Sequence, residues 1–205
     1  MTGLFDKYII LEKQGDMMEK NLEIEYKMLL TEEVFHQLMN DFTGHTYSQT
    51  NYYLTNIELG ALRYSLRIRE KEGYYEMTLK TPAANGRMEH NLEITKEDLI
   101  MIQNGQMPDN EITCLLKEKG FDLSLIKQSY SLTTIRRDVP FDSGMLSLDE
   151  NHYNGITDYE LEFEVNDEEA GLKQFKELCE TYHLQYKGNC ASKIVRVLST
   201  LKAGL

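Results

Sequence analysis

Four short stretches put charge on alternate residues. Glu23, Glu25 and Lys27 alternate with Leu22, Ile24, Tyr26 and Met28. Arg67 and Arg69 alternate with Leu66 and Ile68, and Thr78 and Lys80 with Met77 and Leu79. Glu160, Glu162 and Glu164 alternate with Tyr159, Leu161, Phe163 and Val165. A period of two is the β-strand signature, so each set forms a row of charge on one face. The plainest interpretation is a half-exposed antiparallel sheet with its charges in water. That suits any one strand better than the set, because the acids sit on the first and last strands and the bases on the middle ones. A sheet closed into a barrel would point the rows into a polar lumen and the apolar rows outward, under helices. Acids on one wall could then hold a hard divalent cation through oxygen. Arg and Lys on the facing wall could hold a polyanion, Arg by bidentate contacts.

The elements that must position these rows are legible by the same rules. Thr31 to Phe42 reads as a helix with Thr31 as cap, Glu32 and Glu33 in its first turn and an apolar stripe. Strands follow around 48–54, 61–70, 74–81 and 86–94, with Lys71-Glu-Gly73 as a hairpin turn. Thr95-x-x-Asp98 opens a helix to about Asn104, and Asn110 caps another ending near Gly120. Strands return at 129–138, 144–150 and 156–165. Asn166-x-x-Glu169 caps a helix, and a last one runs over about 191–202. Short turns between adjacent strands predict an antiparallel sheet, and the class is α+β.

The 205 residues, 22 basic and 34 acidic for a net charge of −12, predict one globular domain over 21–205. Residues 1–20 carry no sustained period and read as an N-terminal extension, or as sequence before a natural start at Met17 or Met18. The acidic balance argues against nucleic acid as partner. No apolar run approaches a membrane span. Cys114, Cys179 and Cys190 are an odd set without a CxxC pair, which points to a reduced, cytoplasmic protein without a disulfide framework or structural zinc. The five histidines are scattered, and no glycine-rich phosphate loop or GxSxG elbow occurs. Any grip on phosphate must come from side chains.

The same residues carry a resemblance. Glu23-Ile-Glu25-Tyr-Lys27 resembles the ExExK signature of the CYTH superfamily, the triphosphate tunnel metalloenzymes that include class IV adenylate cyclase and thiamine triphosphatase. The later motifs fall in the family's order: Tyr52-Tyr53, Leu66-Arg67-Ile-Arg69, Leu79-Lys80-Thr-Pro82, Arg87-x-Glu89, Arg136-Arg137, Leu148-Asp149, Glu160-Leu-Glu162 and Ser192-Lys193-x-x-Arg196. Together they cover about residues 21–198, with a spacing most similar to the single-domain bacterial YjbK type. Leu54 departs from the pattern, standing where many members have an aspartate.

The resemblance implies an eight-stranded antiparallel β-barrel enclosing a tunnel, with helices outside. It implies Mg²⁺ or Mn²⁺ held by Glu23, Glu25, Glu160 and Glu162, with Asp149 assisting. Glu164 continues that row, or is a solvent charge at a strand end. The implied phosphate ligands are Lys27, Arg67, Arg69, Lys80, Arg87, Arg136 or Arg137, Lys193 and Arg196. Arg136 and Arg137 are adjacent on a strand, so only one points inward. Lys193 and Arg196, three apart, share one helix face, which would otherwise be an exposed basic face. Lys80 or a nearby tyrosine, Tyr53, is the candidate to activate water. The implied activity is metal-dependent hydrolysis of a triphosphate-containing small molecule: tripolyphosphate, thiamine triphosphate or a nucleoside triphosphate. The alternatives are a class IV adenylate cyclase and a non-catalytic polyphosphate or nucleotide binder. The expected partner is that small molecule, with neither nucleic acid nor membrane, in a monomer or homodimer.

Overall fold

The computed structural model describes residues 18–84 and 86–202. Nine strands form one antiparallel sheet: β1 (Glu19–Glu23), β2 (Glu25–Leu30), β3 (His45–Thr55), β4 (Ser65–Lys71), β5 (Tyr74–Pro82), β6 (Arg87–Ile94), β7 (Lys127–Phe141), β8 (Gly144–Tyr153) and β9 (Ile156–Val165). Their order is β1-β6-β5-β4-β3-β7-β8-β9-β2. The two edges, β1 and β2, are consecutive in the chain and separated only by Ile24. One interrupted strand thus pairs with β6 on one side and β9 on the other, and the nine strands reduce to the expected eight of a strongly curled tunnel.

Alternation sorts the two faces. Leu66, Ile68, Met77 and Leu79 are buried outward, with Leu99, Ile102, Ile112 and Leu116 of helices α3 (Lys96–Gln103) and α4 (Glu111–Glu118) packed over them. On the other flank Leu148, Leu161 and Phe163 are covered by α1 (Glu32–Asp41) and α5 (Glu168–Thr181) through Phe35, Leu38 and Phe175. With both apolar faces roofed by helices, the charged rows are left facing the lumen.

Local rules explain most element ends. Thr31 Oγ1 accepts from the Val34 amide, and Thr95 with Asp98 forms a capping box. Glu72 and Gly73 (φ 52° and 82°) make the two-residue turn between β4 and β5, both in the left-handed region that a type I′ turn requires. Gly86 (φ 79°) has no Cβ to strike the Glu23 carbonyl oxygen, which would lie 2.2 Å away, and this lets β1 register against β6 as Glu23 opposite Arg87.

Three sequence expectations shift. The strand read from 61 begins at Ser65, because Asn56 caps a short helix, α2 (Ile57–Ala61), too brief to show a period. The cap of α5 is Asp167, not Asn166; its carboxylate accepts from the Ala170 amide at 2.7 Å. The last helix, α6 (Lys193–Lys202), starts two residues late, the Cys190 amide being bonded to the Lys27 carbonyl. The extension read over 1–20 lies outside the described residues up to position 17, and β1 already begins at Glu19.

Candidate active site

The lumen holds a cavity of about 510 Å³ whose wall draws on the charged rows. Glu23, Glu25, Lys27, Lys80 and Arg87 all face it, as do Tyr53, Arg67, Arg69, Arg136, Glu162 and Lys193. Helix α6 lies across one end, where Val197 packs on Tyr53, Leu132 and Tyr153 from inside the curl. Of the tyrosine pair, Tyr53 points in. Tyr52 points out and donates to Glu70 at 2.8 Å.

One side of the wall is crowded with acids, and cations are threaded between them. Lys80 reaches both carboxylate oxygens of Glu23, at 2.7 and 2.8 Å, and also contacts Glu89. Lys27 contacts Glu25. Arg136 makes a bidentate pair with Asp149, both bonds 2.6 Å, and bridges to Glu162. Lys193 lies 2.8 Å from Asp149 and 2.7 Å from Glu162, and pairs with Glu160 as well. Arg196 spans Asp158 and Glu160, each at 2.8 Å. Burial opposes ionisation of Glu162, yet Lys193, Arg136 and Lys27 hold it well below the carboxylate range. Burial likewise opposes ionisation of Glu89, but Lys80 and Arg67 bring it down to about 2.

These contacts redistribute the implied metal ligands. Asp149, Glu160 and Glu162 offer oxygens within 4.8 Å of one another, a spacing that could hold a cation. The ammonium of Lys193 already sits among all three, and Asp149 and Glu160 are wholly buried and do not line the cavity. Acids outnumber cations at Glu25 and Glu164, cross-strand neighbours with Glu23 beside them and with Lys27 and Lys80 as their nearest cations. Burial, then Glu162 and Glu23, push Glu25 up to about 7. Burial, then Glu23 and Glu89, raise Glu164. Like charges held opposite each other in a low-dielectric wall are unfavourable unless a cation joins them. Hard carboxylate oxygens at the cavity surface suit Mg²⁺ or Mn²⁺. Glu23, Glu25 and Glu164 thus line the cavity with carboxylate oxygens of the type a divalent cation takes, while among the described residues Asp149, Glu160 and Glu162 are the group whose oxygens already lie within 4.8 Å of one another.

The wall built by β3 and β4 is different. With β1 and β2 counted as one strand, β4 lies four places from β9 and β3 four places from β1–β2, so this wall stands opposite the acids. It presents Arg67 and Arg69. Among the described residues Arg67 has no hydrogen bond or ion pair, its Nε being buried without a partner. Arg69 has one, from Nε to Asn51 Oδ1 at 3.2 Å. Burial, then Arg67 and Arg136, push Arg69 down to about 10 against the weaker opposing pull of Glu76 and Glu89, as expected where cations are placed together.

Two implied phosphate ligands lie elsewhere. Arg137 points away from the lumen, donating to the Phe42 carbonyl at 3.1 Å, the Met39 carbonyl and Thr46 Oγ1. It fastens α1 to the sheet, and Arg136 is the inward member of the pair. Arg196 is engaged by Asp158 and Glu160 behind Lys193 and does not line the cavity. The lumen also holds Gln49, Asn51, Ser147 and Glu89, which had no assigned role. Gln49 and Asn51 are in phase with Tyr53 on β3, the one signal that could have found them.

The CYTH domain family model matches residues 21–196. A Bacillus subtilis (strain 168) protein named "Putative triphosphatase YjbK" is 29% identical over 188 residues, 87% of this chain and 95% of its own. A crystal structure described as a "putative adenylate cyclase" from Bacillus halodurans has a TM-score of 0.81 at 32% identity, covering 86% of this chain and 97% of that one. A Hippeastrum protein, described as a "putative adenylyl cyclase" with a dominant triphosphatase activity, shares the fold at a TM-score of 0.69 and 21% identity, over 87% of this chain and 96% of its own. The family match spans both walls of the tunnel, and the chain belongs to the CYTH family.

Proposed function

We propose that this protein is a metal-dependent triphosphatase that hydrolyses a triphosphate-containing small molecule inside the tunnel. The observation that carries the reading is the pair Arg67 and Arg69, two half-buried guanidinium groups facing a cavity with no carboxylate at ion-pairing distance among the described residues. Buried charge left unpaired is costly, and a polyanion completes it. The named activity of YjbK in Bacillus subtilis supports the same class.

A Mg²⁺ or Mn²⁺ ion held by Glu23, Glu25 and Glu164 would supply neutralising charge for the phosphates and a more acidic water. The chain's own part is positioning and charge stabilisation, the main demands of phosphoryl transfer. Arg67 and Arg69 grip phosphoryl oxygens in plane. Arg136 and Lys193, pinned by Asp149 and Glu162, border the phosphate site from the adjacent wall. Lys80 is a poor base here, because its ammonium hydrogens are committed to Glu23 and Glu89. Tyr53 is a donor rather than a base: burial raises its hydroxyl above the ordinary value despite the nearby Arg67. A cyclase is the second reading, favoured by the apolar rim at the α2–α6 end, where Leu59, Tyr64, Val195 and Leu198 could seat a nucleobase.

The test is phosphate release from tripolyphosphate, thiamine triphosphate, ATP and GTP with Mg²⁺ or Mn²⁺, for wild type and an Arg67→Ala/Arg69→Ala variant, with cyclic AMP assayed in the ATP samples. Metal-dependent release that the variant loses supports the triphosphatase. Cyclic AMP with diphosphate would replace it by the cyclase. Tight tripolyphosphate binding without either product would leave a binding protein.

A further inference from the structure

Arg67 and Arg69 share their wall with two amides. Gln49 and Asn51 face the same cavity from β3 and are 2% and 1% exposed. Neither is fully satisfied: Asn51 Oδ1 accepts from Arg69 Nε, and the other amide atoms are left over. Nε2 and Oε1 of Gln49 and Nδ2 of Asn51 have no hydrogen-bond partner among the described residues. Asn151 on the neighbouring wall shows the contrast. It is as deeply buried, yet it accepts from Thr134 at 2.7 Å and donates to Asp158 at 3.0 Å. Both ends of that amide are engaged by the protein itself. A buried polar group left without a partner costs about 1–3 kcal/mol, so two adjacent ones aimed into a cavity indicate a ligand that completes them.

The atoms say which ligand. Asn51 Nδ2 and Gln49 Nε2 are donors beside two guanidinium groups, so they call for the oxygens of an anion. Gln49 Oε1 is an acceptor, and an anion with no hydrogens cannot satisfy it. That oxygen calls for a hydrogen-bearing group beside the anion, and water is the simplest. We infer that Gln49 and Asn51 form an uncharged subsite for the terminal phosphoryl group of the substrate, and that Gln49 also holds the water that attacks it. The inference rests on the triphosphatase reading and gives that reaction a direction, terminal phosphate toward Gln49. In the step, the water oxygen forms a bond to the terminal phosphorus as the bridging P–O bond breaks. The diphosphate leaving oxygen keeps the electron pair and takes up the proton that the water sheds. Gln49 gains and loses no proton; it orients the nucleophile, a role amides fill in other phosphoryl transfers.

The experiment uses Gln49→Met and Asn51→Leu, which keep the bulk and remove the amides. Three quantities are measured: steady-state hydrolysis of tripolyphosphate and ATP with Mg²⁺, tripolyphosphate affinity in EDTA by calorimetry, and melting temperature. Gln49→Met should lower kcat by about 30-fold or more with KM changed less than about threefold, the split expected of an interaction made in the transition state. Asn51→Leu should weaken tripolyphosphate binding by about tenfold. Gln49→Met should melt at or above the wild-type temperature, because a bare buried amide has been removed, and Asn51→Leu should melt within a few degrees of it, because the loss of the bond from Arg69 Nε offsets that gain. Wild-type kcat and affinity in both variants would overturn the subsite and leave the triphosphatase standing. Activity lost together with a lower melting temperature in both would assign the amides a structural role and overturn it too. A wild-type protein that neither binds nor hydrolyses either triphosphate would overturn the subsite together with the reading beneath it.

Discussion

The wall of β3 and β4 and the wall of β7, β8, β9 and α6 bury charge in opposite ways. On the second, Arg136, Lys193 and Arg196 are each matched to at least two carboxylates, and Asp149 and Glu160 are fully covered. On the first, Arg67 and Arg69 sit beside one bare amide, Gln49, and one half-engaged, Asn51, with no acid at ion-pairing distance among the described residues. The paired wall is internally complete and can serve as scaffold. The unpaired wall is complete only with something bound. Between them lie Glu23, Glu25 and Glu164, where acids outnumber their cations. The tunnel thus separates cation demand from anion demand by half a turn of the sheet.

Variants on the two walls should fail differently. The largest effect is expected from Lys193→Met, which leaves Asp149, Glu160 and Glu162 without their shared ammonium. Breaking a buried pair in this way costs about 3–5 kcal/mol, readable as a fall in the urea midpoint. A wild-type midpoint would show that the paired wall is not scaffold. Arg69→Ala should do the reverse. Turnover of the preferred triphosphate should drop about 10²–10³-fold, while the melting temperature holds or rises because an unpaired buried charge is gone. Destabilisation without kinetic loss would count Arg69 as structure.

The acids between the walls predict a pH signature. Native Glu25 titrates near 7 against an ordinary 4.5, so in that window it keeps a proton that the unfolded chain has shed. Its contribution to stability is full below about 4.5 and is lost as pH rises through 7, by roughly 3 kcal/mol at most. Glu89, held near 2, acts in the opposite sense and in another window, its contribution lost only as pH falls below the ordinary range. Thermal melts from pH 5.5 to 8.5 should therefore decline for the metal-free protein, and the decline should shrink with millimolar Mg²⁺ or in Glu25→Gln. A flat profile in all three would remove Glu25 as the strained acid. The smallest effect belongs to Arg137→Ala, which loses its bonds to the Phe42 and Met39 carbonyls on the outer face. About 1 kcal/mol of stability should go, with unchanged turnover.

How much of this was legible in the sequence depended on charge. The rows at Glu23–Lys27, Arg67–Arg69 and Glu160–Glu164 stood out because strand alternation separates them from apolar neighbours, and all three point inward as that alternation requires. The phase of β7 was hidden. Leu132 faces in and Ile135 faces out, 40% exposed, so the apolar residues of that strand mislead and Arg136 could not be told from Arg137. Gln49 and Asn51 escaped because an uncharged row in Tyr47-Ser-Gln-Thr-Asn51 looks like any polar strand. The placement of Lys193 among Asp149, Glu160 and Glu162 is a tertiary fact that no local spacing encodes.

The single residue between β1 and β2 bears on how the protein is made. Glu25 pairs with Glu164, so the strand emerging first from a ribosome waits for one synthesised 139 positions later (164 − 25). Until then β2 presents an unsatisfied edge and the lumen charges meet bulk water. Closure is the most non-local strand pairing in the fold, and topologies of this kind assemble slowly. A nascent chain stopped short of β9 would expose a ready-made edge for another copy to pair with.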